Sequence, residues 1–136
     1  MSLNDAWRDV REFHVRFGHP HQERPCFIDA ERAQSRAKWM REEVQEFLDS
    51  RDVVEQADAM IDLIYFALGT LVEMGVEPQP LFDIVHKANM DKLWPDGKPH
   101  YNEDGKTVKP AGWLDPYPLL EEEIKRQIDK KAQKES

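Results

Sequence analysis

The chain has a single cysteine, Cys26, in 136 residues. That excludes an internal disulfide framework and a cysteine-based zinc site, and it makes a reducing compartment the simplest expectation. Basic residues are also short: 19 Lys and Arg stand against 27 Asp and Glu, for a formal net charge of -8. Gripping nucleic acid through its phosphates needs a basic surface, so a nucleic-acid binder is not expected. No apolar run spans a bilayer comfortably. The longest, ADAMIDLIYFALGTLV at 57–72, is short for that and carries two aspartates. The opening MSLNDAWRDV lacks the basic start and apolar stretch of a signal peptide. A cytoplasmic chain without a membrane partner is the expectation. Internal repeats and low-complexity segments are absent as well.

What is present is helical periodicity. Asn4 or Asp5 can cap a first helix to about Phe17, with Trp7, Val10, Phe13 and Phe17 on one face. Asp29 can cap a second over about 30–49, with Met40, Val44, Phe47 and Leu48 as its apolar stripe. A tight link leads to a third, about 53–74, which Gly75 stops; short links make such neighbours antiparallel. A fourth starts near Pro78–Pro80 and runs to about Lys92, with Leu81, Ile84, Val85 and Ala88 inward. The stretch WPDGKPHYNEDGKTVKPAGW then loses helical period, and its NEDG turn can join two short strands. A charged last helix, peripheral or frayed, is expected over about 118–134. The fold class is all-α, a four-helix bundle with an irregular or β-hairpin excursion. The third helix is apolar on two faces, one marked by Val54, Ala57, Ile61, Ile64, Leu68 and Leu71, the other by Ala59, Leu63, Phe66 and Thr70. A helix buried on both sides needs a second surface, so a homodimer or homotetramer is expected.

The aspartates in that apolar helix need a partner, because a buried carboxylate is costly alone. Glu55, Asp58 and Asp62 fall within an arc of roughly 60°. On the second helix Glu42, Glu43 and Glu46 share an arc of about 100°. Two facing acidic stripes repel unless a cation lies between them. Carboxylates without His or Cys are hard ligands that suit Mg²⁺ or Mn²⁺. Pairing of Asp58 and Asp62 with Arg32, Arg36 or Arg41 is the structural alternative. Lys92, Lys98, Lys106 and Lys109 gather near the excursion, where they can serve as plain surface or bind a polyphosphate beside a metal.

In this order the motifs resemble the MazG-like all-α nucleoside triphosphate pyrophosphohydrolases, a superfamily with dimeric dUTPase, dCTP pyrophosphatase and phosphoribosyl-ATP pyrophosphohydrolase relatives. The residues that carry the resemblance are Glu42-Glu43-Val44-Gln45-Glu46, then Asp58-Ala-Met-Ile-Asp62-Leu-Ile-Tyr65, Gly69, Gly75, VHKANMDK, GKTVKPAGW and the early REFHVRFGHPHQERP. It spans roughly 7–117, which sets a domain of 1–117 ahead of a charged tail of 118–136. The resemblance implies Mg²⁺-dependent cleavage between the α and β phosphates of a nucleoside triphosphate such as dGTP, dUTP or dCTP, with Mn²⁺ able to substitute. It implies Glu43, Glu46 and Asp62 as metal ligands. It makes Glu42, with Glu43, the group that orients or deprotonates water, or that holds a second metal. Asn89, Lys92, Lys106 and Lys109 are implied as substrate-holding residues. One departure stands out: the family's second motif is ExxD, and the position three before Asp62 is Ala59. Asp58, which shares the face of Asp62, is taken to replace that glutamate. For the base, Trp39 lies on the stripe of the glutamates and can stack, as can His14, Tyr65, Phe13 or Phe17; Phe17 is read as core. The competing reading is an inactive bundle that binds a nucleotide or partner.

Overall fold

The computed structural model describes residues 1–135, with side chains to 133. Among these it has five helices and no strands. They are α1 (Leu3–Arg16), α2 (Ala30–Asp49), α3 (Val53–Met74), α4 (Pro78–Met90) and α5 (Tyr117–Glu135). Local chemistry sets their ends. Asp29 accepts from the Arg32 N–H to start α2, and Asp52 from the Glu55 N–H to start α3. Gly75 ends α3 in the left-handed region, at φ 69°. A Cβ at Gly75 would also collide with the Arg24 carbonyl, so the loop before α2 packs where only glycine fits. That loop is tied to α3 by Gln22 N–H to Val72 O at 3.2 Å and Cys26 N–H to Met74 O at 2.9 Å. The Cys26 side chain itself is exposed.

The cap of α1 differs from the expectation. Ser2 closes it in a reciprocal box with Asp5, which leaves Asn4 free for another task. Asn4 accepts from the Gln79 N–H at 2.9 Å, while Gln79 accepts from the Leu3 N–H at 2.7 Å. This exchange fixes the start of α4 to the start of α1. Gln127 of α5 does the rest, accepting from the Glu77 N–H at 2.9 Å and donating to the Glu77 carbonyl at 3.0 Å. The expectation that the last helix is peripheral or frayed therefore fails at Gln127, which is buried.

The α2–α3 hairpin is the main packing unit, and α1 lies on α3. Trp7, Val10, Leu68 and Val72 form the core, with Ala6 and Leu71 against it. α4 turns away from α3 by 117° and packs on α1 and α5. Several positions expected to be covered are open: Phe17, Leu48, Val54 and Ile61 are each more than 60% exposed. Phe17 is thus not a core residue. The excursion has one isolated antiparallel bridge, Tyr101 to Thr107, around the expected NEDG turn rather than two strands. No single helix is long and apolar enough to cross a membrane.

Candidate functional site

The antiparallel α2–α3 pair sets the two acidic stripes face to face. Glu43 and Glu46 from α2 and Asp62 from α3 each bring a carboxylate oxygen within 4.8 Å of the others. Octahedral Mg²⁺ with ligands at about 2.0–2.1 Å sets neighbouring oxygens about 3 Å apart and opposite ones about 4 Å apart. The observed spread needs only side-chain adjustment to close on such an ion. Glu43 Oε2 is buried and has no hydrogen-bond partner. Burial, then the nearby Glu46, Asp62 and Asp58, push the Glu43 carboxyl up to about 7. Asp62 is raised too, by burial first and then by Asp58 and Glu46. An orphaned buried oxygen among crowded carboxylates is what a divalent cation would relieve, and the all-oxygen donor set fits Mg²⁺ or Mn²⁺.

The arginine alternative is not what the side chains do. Arg32 reaches Glu73 Oε2 at 2.9 Å and Arg36 reaches it at 3.0 Å, so both arginines serve another carboxylate. Among the described residues, no ion pair reaches Asp58 or Asp62. Asp58 sits outside the tight trio. It lines an adjoining groove of about 310 Å³ with Glu46, Asp49, Ser50, Glu55 and Ala59. Glu42 is exposed and also lies outside the trio.

The groove changes how the Ala59 departure reads. Ala59 is 2% exposed, so a glutamate side chain has no room there without repacking. The ExxD spacing exists one turn earlier, at Glu55-Gln56-Ala57-Asp58, and both its acids line the groove with Glu46. Glu55 was visible in the acidic stripe but was not assigned as a ligand. The signal that finds it is the spacing itself.

One turn from the trio along both helices lies a cavity of about 260 Å³. It is lined by Phe13, His14, His19, Arg36, Trp39, Tyr65 and Phe66. Trp39 is tilted on Phe66 at 5.9 Å, and the Arg32 and Arg36 guanidinium groups each lie 5.4 Å from its ring. Arg36 donates to Thr70 Oγ1 at 3.1 Å and to the Phe66 carbonyl at 2.8 Å. Gly69 makes this possible, because a Cβ there would strike the Arg36 guanidinium and the His14 ring. Burial lowers the His14 pKa, so the ring is neutral. A carbonyl only accepts, so Nδ1 donates to Pro20 O at 2.8 Å and Nε2 is left as an acceptor. Burial, followed by the Asp9 charge, raises Tyr65. The sequence named Arg36 only as an ion-pair partner for the aspartates and Phe66 only as part of an apolar face, not as cavity residues, since an arginine on an ordinary helix carries no sign of burial.

The expected phosphate-binding group is built but stands apart. Lys92 and Lys109 hold their ammonium groups 5.5 and 4.8 Å from the Trp113 ring, and the Trp113 indole donates to the Ala88 carbonyl at 2.7 Å. The Lys106 N–H closes the Asn102 turn at 3.0 Å, and Asn89 is exposed on α4. Among the described residues, no hydrogen bond or ion pair joins the excursion to α2 or to the acidic half of α3.

A family model described as phosphoribosyl-ATP pyrophosphohydrolase matches residues 10–89, more than half of the chain. The chain belongs to this family. The matched span runs from α1 through most of α4 and includes the acidic trio, the groove and the aromatic cavity. No curated protein matches the chain. Among solved structures it is similar to a protein from Exiguobacterium sp. 255-15 that is provisionally assigned as an NTP pyrophosphohydrolase. The two share 36% identity over 92% of this chain and 96% of that one, with a TM-score of 0.53. The all-α fold is thus that of an NTP pyrophosphohydrolase relative.

Proposed function

We propose that the chain hydrolyses a nucleoside triphosphate between its α and β phosphates, releasing the monophosphate and pyrophosphate. A deoxynucleoside triphosphate such as dGTP, dUTP or dCTP is the preferred substrate. The observation that carries this reading is the trio of Glu43, Glu46 and Asp62, with its orphaned buried oxygen, beside a cavity lined largely by aromatic rings. Family membership supports it. Glu43, Glu46 and Asp62, with Asp58 and Glu55 from the groove, would hold Mg²⁺, for which Mn²⁺ can substitute. The metal, when bound, supplies charge neutralisation for an in-line displacement at phosphorus. Glu42, exposed and next to Glu43 in α2, orients the attacking water and accepts its proton. Trp39 and Tyr65 flank the base, and the bare His14 Nε2 accepts a hydrogen bond from a base N–H. Lys92, Lys106, Lys109 and Asn89 hold the phosphates.

Glu46→Gln and Asp62→Asn are each expected to lower turnover at least about a hundredfold while helicity is kept. Pyrophosphate release from a panel of NTPs, dNTPs and phosphoribosyl-ATP, with Mg²⁺ or Mn²⁺, tests both the reaction and the residues. Near-normal rates in either variant would remove that residue from the site. Tight nucleotide binding with no release across the panel would favour the inactive binding bundle instead.

A further inference from the structure

The wall of the aromatic cavity carries more positive charge than its ion pairs use. Arg32 alone takes both oxygens of Glu73, Nε to Oε1 at 3.0 Å and Nη2 to Oε2 at 2.9 Å. Arg36 Nη1 then brings a second guanidinium to Oε2 at 3.0 Å. Two arginines thus stand against one carboxylate. Glu73 and Arg36 are both buried, and a buried charge in excess of its counter-charge is costly. Arg36 lines the cavity, whereas Glu73 and Arg32 lie outside its lining. A buried ion pair that only stabilised the fold would be complete with Arg32 and Glu73.

The donors of Arg36 are only partly used. Nε donates to Thr70 Oγ1 at 3.1 Å, Nη2 to the Phe66 carbonyl at 2.8 Å and Nη1 to Glu73. Among the bonds between described residues, this leaves one N–H on each terminal nitrogen of the guanidinium. Beside it stands a group of the opposite kind. A Cβ on Gly69 would lie 2.9 Å from His14 Nε2 and closer still to Arg36 Nη2, so the two nitrogens meet at the same point of α3. His14 Nε2 accepts, because Nδ1 donates to the Pro20 carbonyl. Both groups sit at the end of the cavity away from the acids. Arg36 is seven residues before Glu43, and Gly69 seven after Asp62, which is about 10 Å along either helix. That is close to the span of a nucleoside from its α phosphate to the far edge of its base.

We propose that Arg36 is a base-recognition residue of this site: it donates to a carbonyl oxygen on the far edge of the base, while His14 Nε2 accepts from the neighbouring ring N–H. Glu73 touches no ligand and is the positioning residue that holds the guanidinium there. The inference rests on the proposed nucleotide reaction for the ligand that enters the cavity. The choice of edge rests on the donors. A carbonyl oxygen has two lone pairs and can take both free N–H groups, whereas a ring nitrogen has one. An amino group in that place would leave the buried guanidinium facing another donor. Uracil, thymine, guanine and hypoxanthine present a carbonyl beside a ring N–H on this edge. Adenine and cytosine present an amino group beside a bare nitrogen. The preferred substrates are thereby narrowed to dUTP or dGTP over dCTP and dATP.

Hypoxanthine and adenine differ only at this edge, so dIMP and dAMP isolate it. Both are titrated into the protein with Mg²⁺ by calorimetry, which needs no turnover. The wild-type chain is expected to bind dIMP at least about tenfold more tightly than dAMP. Arg36→Met, in which Arg32 still neutralises Glu73, should bring the two affinities within about twofold. Equal binding of the two by wild type, tighter binding of dAMP, binding of neither, or a ratio kept in Arg36→Met would overturn the assignment of Arg36. If Arg36→Met does not fold, the wild-type ratio decides, together with that of dUMP over dCMP. Glu73→Gln keeps the shape of the side chain but not its charge. It should narrow the ratio of dIMP to dAMP while the affinity for Mg²⁺ alone is unchanged. A lower melting temperature with the ratio intact would make Glu73 structural only and overturn its positioning role. The inference and the reaction fail separately. Pyrophosphate released from dATP as fast as from dITP would overturn the inference and leave the reaction standing. No release from any triphosphate, with dIMP still bound in preference to dAMP, would remove the reaction and leave Arg36 at the base.

Discussion

At the residue scale the molecule separates its charged groups by burial. Glu73 is nearly sealed and held by two arginines, whereas the carboxylates of Glu43, Glu46 and Asp62 face each other with no cation from the protein. These arrangements behave oppositely on perturbation. Glu73→Ala would leave Arg36 buried without its counter-charge, so a loss of about 3–5 kcal/mol is expected by denaturant unfolding. A change under about 1 kcal/mol would mean the triad is dispensable. Glu43 bears on pH. Its folded pKa of about 7 lies above the ordinary value of 4.5. In that window the folded state holds more protons than the unfolded one. The metal-free protein should therefore lose stability as pH rises from about 4.5 to about 7. Thermal melts in chelator across this range check it, and Glu43→Gln should flatten the slope. Saturating Mg²⁺ should reverse it, since metal binding displaces the proton.

At the element scale, the ends of α2 and α3 were legible because each carries a strong local signal. Asp29 and Gly75, named from the sequence, and Asp52, found as a cap only in the structure, act within four residues of themselves. Gly75→Ala should cost at least about 1–2 kcal/mol for the left-handed backbone, with more from the Arg24 carbonyl it would strike. A melting temperature within about a degree of wild type would contradict this. The cap of α1 was misread because Ser2, Asn4 and Asp5 all suit a cap, and only the tertiary pairing of Asn4 with Gln79 separates them. The acidic stripes were legible from helical spacing alone. The ExxD spacing was read back from Asp62, where Ala59 breaks it, and the same spacing at Glu55 to Asp58 was passed over. Burial shows that Ala59 belongs to the wall. The excursion carries too few regular signals to tell a lone bridge from a pair of strands.

At the scale of the whole molecule, the least legible property was which apolar faces stay open. Periodicity marks Val54, Ile61 and Phe17 as apolar, but it does not say whether their cover comes from the same chain. The bend after α3 answers for one chain by carrying α4 away. The lysines, plainly visible as a cluster in the sequence, follow that bend, and among the described residues no hydrogen bond or ion pair joins them to the acids next to which they were expected. Mg²⁺ should link the scales. A cation that binds only the folded state raises its stability by about 2.7 kcal/mol at a hundredfold excess over its Kd, and Glu46→Gln should lose much of that gain. The most direct test of the central claim is to identify the products by ³¹P NMR after incubating the protein with dUTP, dCTP or dGTP and Mg²⁺. The expected result is a nucleoside monophosphate and pyrophosphate in equal amounts, with no diphosphate. Formation of diphosphate and inorganic phosphate, or unchanged nucleotides with folded protein, would contradict it.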